Sequence, residues 1–146
     1  MANEPIPMSA VRSELDTNWA TTDIAEPGFI EENLMSDTQV FNLNRQNYII
    51  IRAGIPAIEE TPVGNWTYGN RLYRVELELM TKTDRQALWN LQAEVRRTLH
   101  ARMHSFTSFQ RVRFIDMQED FDENVRVWSA KIQIELQNSG VLLETT

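Results

Sequence analysis

Two histidines, His100 and His104, stand four residues apart in a stretch with the pattern of a helix, so both would lie on one face. Zinc hydrolases with this spacing use the pattern His-Glu-x-x-His, in which the glutamate acts as the base. Here Ala101 occupies the glutamate position, and the chain contains no third histidine. Because catalytic zinc usually has three protein ligands, the pair does not predict a zinc site.

An acidic segment near the C-terminal end has a second pattern that could bind a metal. Asp120, Asp122 and Asn124 have the spacing of the first three ligands of a calcium loop. Such a loop continues with glycine and ends with glutamate, whereas this chain has Val125 and Lys131 at those positions. The segment therefore predicts a solvated hairpin turn, with weak calcium binding by its carboxylates as the alternative.

Other catalytic patterns are missing from the sequence. The chain has no cysteine, no Gly-x-Ser-x-Gly elbow and no glycine-rich loop of the kind that binds phosphate. Asn65-Trp66-Thr67 matches a glycosylation acceptor, but residues 1–8 lack the pattern of a signal peptide, so we interpret the match as chance. The sequence therefore predicts neither an enzyme nor a protein with a cofactor or a metal.

The charge and hydropathy of the chain limit its partners. The net charge is −7, and of the 14 basic residues only Lys82 and Lys131 are lysine. Holding nucleic acid through its phosphates requires clustered basic residues, so we expect no sequence-specific binding to nucleic acid. No apolar run approaches the ~20 residues that span a bilayer, so no membrane association is expected. The excess of arginine is consistent with subunit interfaces, or simply with genomic base composition or a salty habitat.

Hydrophobic periodicity predicts the elements that would position these residues. The predicted elements are a helix over residues 9–21 with Ser9 as its N-cap, strands over 48–52 and 71–80, a helix over 84–103 with a Thr83/Gln86 capping box, and strands over 109–117 and 125–136. Residues 23–47 are ambiguous, with Phe29, Ile30, Leu34 and Met35 suited to a short helix and residues 40–43 to an extended piece. A change of alternation at Val127 predicts a β-bulge.

The order α-β-β-α-β-β predicts an α+β fold in one domain, residues 1–146. We expect an antiparallel sheet of four strands, or slightly more, with the helices packed on one face. Residues 1–7 would form an N-terminal arm, residues 138–146 a C-terminal tail, and residues 53–70 a long projecting connection. The connection is predicted from its glycines and prolines, and it carries two large aromatic residues, Trp66 and Tyr68.

Two stretches carry a resemblance to a known family, YRVELELMTKTDRQALWNLQAEVRRTLHAR and FQRVRFIDMQEDFDENVRVWSAKIQIEL. In order and texture, over roughly residues 9–136, the chain resembles the tail-terminator and tail-completion proteins of long-tailed bacteriophages and related viruses. The resemblance implies a virion structural protein that forms a homo-oligomeric ring, usually a hexamer. The ring would cap the growing tail tube and join it to the neck, with the tail tube protein and the neck or connector proteins as partners. It further implies assembly in the host cytoplasm and passage of DNA through the ring.

The side chains expected at subunit contacts come from two places. The first is the predicted connection, with Trp66 and Tyr68. The second is the polar face of the predicted strands, with Arg74, Glu76, Arg111 and Arg113, because aromatic residues and arginine are enriched at interfaces. On that face, opposite charges on neighbouring strands would pair within the sheet or between subunits.

Three other functions fit the sequence. One is a neck or head-completion protein of the virion, which differs in the neighbour it contacts. Another is a non-viral α+β module, monomeric or dimeric, that binds a small ligand in a pocket near Trp89 and Trp128. The last is a hydrolase with carboxylate chemistry at Asp120 and Asp122, for which substitution of these residues would change the activity.

Overall fold

The structure is a computed structural model. It describes residues 6–20, 24–32, 43, 45–63, 68–101 and 109–142. The elements in chain order are α1 (Pro7–Asn18), β1 (Gly28–Glu31), β2 (Tyr48–Val63), β3 (Tyr68–Thr81), α2 (Arg85–Ala101), β4 (Arg111–Asp122) and β5 (Val127–Leu142). No helix in the described ranges has both the length and the apolar character needed to cross a membrane.

The five strands form one sheet in the order β1-β2-β3-β5-β4. Strand β1 runs parallel to β2, and the other three neighbouring pairs are antiparallel. The α+β class is therefore confirmed, but the sheet is mixed rather than wholly antiparallel, and it has five strands where we expected four or slightly more. The additional strand is β1, whose Phe29 and Ile30 are locally suited to a short helix; Leu34, Met35 and residues 40–42 lie outside the described ranges. Pairing of Gly28–Glu31 with the apolar residues at the start of β2 overrides that local preference, and Phe29 packs edge-on against Trp19 at 5.7 Å.

Both helices pack on the same face of the sheet, as predicted. The alternation of β3 places Tyr73, Val75, Leu77 and Leu79 in the core, and β5 contributes Ala130, Ile132, Ile134 and Leu136. Helix α1 contributes Val11, Leu15 and Trp19, and α2 contributes Leu88, Leu91, Val95 and Leu99. These residues form one buried cluster, because the helical and strand periodicities both turn their apolar positions towards the space between the layers.

The helix starts differ from the predicted ones. Helix α1 begins at Pro7, where the missing N–H costs nothing, and its N-cap position is Ile6 rather than Ser9. Ser9 lies inside the helix and donates a hydrogen bond to Glu31, 3.0 Å away. Helix α2 has no Thr83/Gln86 capping box: Asp84 is the cap, because its Oδ1 accepts the N–H of Ala87 at 2.7 Å.

The expected connection over residues 53–70 is largely strand, so that prediction is wrong. Strands β2 and β3 pair as far as Val63 and Tyr68, with an irregularity between Ala53 and Ile58. Glycine and proline are tolerated there because, among the described residues, β1 covers only the first four residues of β2, which leaves the rest of that strand at the sheet edge. At Gly54 an added Cβ would lie 2.7 Å from the Cβ of Arg74, so the two strands approach too closely for a side chain.

Two further boundaries are corrected at the other end of the chain. Part of the expected tail, residues 138–142, continues β5. The β-bulge expected near Val127 is absent, since Val127 pairs in register with Asp122, and the irregularity in this hairpin lies between Phe114 and Asp116. The change of alternation arises because Val125 belongs to the turn, in which Arg126 has a φ of 55°. The expected arm meets the structure only at Ile6 and Pro7; residues 1–5 and 143–146 lie outside the described ranges.

Candidate functional site

The sheet face away from the helices, here called the outer face, is covered by charged side chains in rows that cross the strands. In one row Arg74 of β3 contacts Glu59 of β2 at 2.7 Å and Glu135 of β5 at 3.6 Å. Arg113 of β4 extends the row, 3.9 Å from Glu135. Acidic and basic groups therefore alternate from β2 to β4, as the strand register requires when opposite charges face each other across neighbouring strands.

A second row of the outer face is centred on Arg52 of β2. Its guanidinium lies 2.6 Å from Glu32, 3.4 Å from Glu76 and 3.5 Å from Glu78. Gln133 of β5 donates a hydrogen bond to Glu76 at 3.0 Å. Burial acts to lower the pKa of Arg52, but the hydrogen bond to Glu32 and the surrounding carboxylates raise it. The guanidinium is therefore firmly charged and links the segment after β1 to β3.

These rows determine where the predicted interface residues lie. Arg74 and Glu76 are on the outer face and already have partners within the chain. Arg111 and Arg113 are exposed on β4, at the edge of the sheet. The backbone of Tyr68 opens β3 and pairs with Val63 and Leu142. Trp66 lies outside the described residues. The structure thus gathers Arg74, Glu76 and Arg113 on one surface, and their role in subunit contacts stays a prediction.

A polar cluster between the two helices was not predicted from the sequence. Glu94 of α2 is 4% exposed. Its carboxylate accepts hydrogen bonds from Nε of Arg97 at 3.0 and 3.1 Å and from the backbone N–H of Ala20 at 3.1 Å. Arg97 also donates to the carbonyl of Asn18 at 3.0 Å, so the pair attaches α2 to the end of α1. The hydrogen bonds from Arg97 lower the pKa of Glu94, although burial acts in the opposite direction.

The acidic hairpin end of β4 and β5 is arranged around Glu119. This carboxylate lies 2.8 Å from Nε of Arg85 and accepts the indole N–H of Trp89 at 2.8 Å. Trp89 itself is 43% exposed, while Trp128 stacks on Phe121 with ring centroids 4.3 Å apart. An open depression of about 460 Å³ adjoins Glu119 and Trp128. It is lined by Arg85 at the start of α2 and by Glu119 and Trp128 of the hairpin, on the sheet face that carries the helices, near the place where the ligand-binding alternative puts a pocket.

The acidic residues of this hairpin serve the turn. Asp122 accepts the N–H of Asn124 at 3.0 Å, which is the hydrogen bond of an Asx turn. Asp120 and Asp122 are exposed, as is His100, while His104 lies outside the described residues. Among the described side chains, no group of three or more histidine or carboxylate residues is arranged to hold a metal ion.

An apolar groove of about 250 Å³ lies where the start of α1 meets the irregular part of β2. It is lined by Ile6, Pro7, Met8, Ala53, Ala57, Ile58, Tyr73 and Arg74. Beside it, Ile55 is 94% exposed and Ile58 is 46% exposed. Exposed aliphatic side chains beside an apolar groove make this a candidate interaction surface.

Comparison with known proteins yields a likeness in fold. The sequence matches no protein-family model and no curated protein sequence. The structure is similar to a chain in the virion of a native gene transfer agent particle, with a TM-score of 0.62 and 8% sequence identity. The match covers 92% of this chain and 95% of that chain. At this identity the likeness shows a shared fold.

Proposed function

We propose that this protein is a structural component of a phage-like virion. The observation that carries the proposal is the fold likeness to a chain of the gene transfer agent virion, which extends over nearly the whole of both molecules. A likeness that covers nearly complete chains is more informative than one confined to a common supersecondary motif.

The surface supports a role in assembly. On the outer face, the carboxylates of Glu59, Glu76 and Glu135 are paired with basic or amide groups of neighbouring strands. A catalytic carboxylate would instead need a pKa matched to proton transfer and access to a substrate. The exposed aliphatic residues Ile55 and Ile58 lie at the sheet edge, where another protein could cover them.

Within the virion, we propose that the protein is a tail terminator: a ring that caps the tail tube and joins it to the neck. The sequence resemblance described above suggests this position. The two edges of the sheet differ in sequence and charge, which suits the head-to-tail contacts from which closed rings are built. A net charge of −7 suits a channel through which DNA passes without being held.

Deletion of the gene in the virus or particle-producing cell that encodes it tests this position. Without a terminator, polymerisation of the tail tube is not halted at a fixed length. Electron micrographs should therefore show tails of irregular and excessive length beside unattached filled heads. Complementation with the wild-type gene should restore uniform tails. Antibody labelling of complemented particles should decorate the junction between tail and neck.

Two other outcomes would refute the terminator. Free tails of normal, uniform length beside unattached heads would indicate a neck or head-completion protein. Particles of normal morphology and titre would refute the virion role altogether and favour the ligand-binding alternative. For that outcome, the groove beside Tyr73 would be the first surface to screen for ligands.

A further inference from the structure

The sheet has two unlike open edges among the described residues. Strand β4 forms one edge over its whole length. On the other side, β1 pairs only with Tyr48–Ile51, so residues 52–63 form the second edge, here called the open part of β2. Backbone N–H and C=O groups along such edges can pair with another strand, and long exposed edges are usually covered by a partner.

The strand directions allow the two edges to pair with each other. Each neighbouring pair from β2 through β3 and β5 to β4 is antiparallel, so β4 runs opposite to β2. If a second sheet continues the first, its open β2 edge therefore meets β4 in the antiparallel sense. The register also aligns residues across the sheet: Glu59 pairs with Leu72, Leu72 with Gln137, and Gln137 with Arg111.

The charges at the two edges are complementary on the outer face. The β2 edge ends in Glu59, whose side chain is 49% exposed, and the β4 edge carries Arg113, 59% exposed, together with exposed Arg111. Within the described part of the chain Arg111 has no ion pair. The outer face is acidic at its β2 edge and basic at its β4 edge. If the β2 edge of a second copy lies against β4, Glu59 of that copy follows the arginines of β4, so acidic and basic groups continue to alternate across the contact.

Exposed isoleucines at the two edges lie at the same position along the strands. The irregularity in β2 begins after Ala53, and that in β4 begins after Phe114; both residues are level with Val75. Each irregularity presents an isoleucine to solvent, Ile55 at 94% exposure and Ile115 at 38%. Edge-to-edge contact would bring these two apolar sites together, beside the complementary charges.

We propose that a second copy of this chain docks the open part of its β2 antiparallel on β4 of the first, with Glu59 of one copy opposite Arg111 of the other. The contact is heterologous, so it leaves one free edge of each kind at every step and can close into a ring. The inference rests on the proposed ring-forming function and specifies the contact that builds the ring.

Engineered cysteines test this contact cleanly, because the chain has no cysteine of its own. Facing residues of antiparallel strands have Cα atoms about 4.5–5.5 Å apart, which suits a disulfide. The variant with Glu59→Cys and Arg111→Cys in one chain should oxidise to a series of dimers, trimers and larger species. The largest species should retain no free thiol, since a closed ring uses every cysteine.

The matched control combines Arg111→Cys with Glu60→Cys, whose side chain lies on the opposite face of β2. Cross-linking in the Glu59 variant should be at least about tenfold faster than in this control, because docking raises the effective concentration of the facing thiols. Equal rates in the two double variants, or no species larger than a dimer, would overturn the proposal. Each single-cysteine variant should stop at the dimer.

A charge exchange provides a second measurement. Arg111→Glu and Glu59→Arg should each weaken self-association by about two- to fivefold per contact, as measured by light scattering across concentration. An equimolar mixture of the two variants should recover the wild-type concentration dependence, because each altered edge then meets an edge of opposite charge. A mixture no better than either variant alone would refute the pairing.

The result can be separated from the test of the terminator role. Cross-linked rings together with normal tails after gene deletion would refute the terminator and leave the edge contact standing. Tails of irregular length after deletion, with equal cross-linking of the Glu59 and Glu60 variants, would support the terminator and refute the edge contact.

Discussion

Replacement of Glu94 by glutamine should destabilise the protein at neutral pH by weakening the polar contact between the two helices. The carboxylate is 4% exposed and accepts hydrogen bonds from Arg97 and from the N–H of Ala20, so it joins α2 to the chain after α1. Glutamine keeps the shape and one acceptor oxygen, but it loses the charge and directs an NH₂ group towards the guanidinium. Stability should therefore fall, while the fold and the sheet register remain unchanged.

The size of the effect follows from the exposure of the two partners. Hydrogen bonds to charged groups contribute about 1.5–3 kcal/mol each. Arg97 is 49% exposed, so water screens its side of the interaction and the lower part of that range applies. We expect Glu94→Gln to lower the free energy of unfolding by about 1–2 kcal/mol, and the melting temperature by about 2–8 °C.

The pH dependence gives the sharpest check. The pKa of Glu94 is lowered in the folded protein, so its stabilising contribution is complete above the unfolded pKa of about 4.3. The contribution is lost as pH falls through the unfolded and then the folded pKa. The stability difference between wild type and Glu94→Gln, measured by urea denaturation, should be constant from about pH 7 to pH 5 and shrink below that.

Glu123→Gln is the matched control, because Glu123 is exposed in the β4–β5 turn and has no ion pair within the described residues. It should leave stability within about 0.5 kcal/mol of wild type at every pH. A Glu94→Gln difference that persists unchanged at pH 3, or one no larger than that of the control, would refute the account of the helix contact.

Other substitutions test the fold at single points. Asp84→Ala removes the cap on the N–H of Ala87 and should lower stability by about 1 kcal/mol, as measured by thermal melting. Gly54→Ala places a Cβ 2.7 Å from Arg74 Cβ and 3.0 Å from its carbonyl carbon. Because backbone cannot yield easily, it should destabilise by about 1–3 kcal/mol in urea, whereas an unchanged midpoint would refute the close approach. Leu77→Ala, in the middle of the buried face of β3, should cost about 2–5 kcal/mol.

Much of the fold could be predicted because burial has a period. The alternation in β3 and the stripe of Leu88, Leu91, Val95 and Leu99 in α2 correspond to the buried positions. Side chains that face the core are apolar, so the spacing of apolar residues in the sequence shows which face of each helix or strand is buried. The outer-face location of Arg74 and Glu76 follows from the same alternation.

Elements that depend on distant partners were missed. Strand β1 has only four residues and owes its conformation to pairing with the start of β2. Residues 53–63 carry glycine and proline, which locally indicate a loop, yet they continue β2 because the sheet edge tolerates them. The Glu94–Arg97 pair has the ordinary spacing of a solvated helix pair, and nothing local indicates that Ala20, 74 residues away, completes it.

The distribution of charge on the sheet bears on where a partner would bind. On the outer face, Glu135 lies between Arg74 and Arg113, so the middle of the row is compensated within the chain. At the two edges, Glu59, which contacts Arg74, is half exposed, and Arg111 is exposed and has no ion pair among the described residues, so both side chains are accessible to a further partner. A face with balanced charges gains little electrostatic attraction for a copy of itself, whereas edges of opposite charge attract each other in one orientation. Under the proposed arrangement, the ion pairs within each subunit therefore make association specific. They disfavour face-to-face stacking of two sheets and direct association to the sheet edges, as a ring requires.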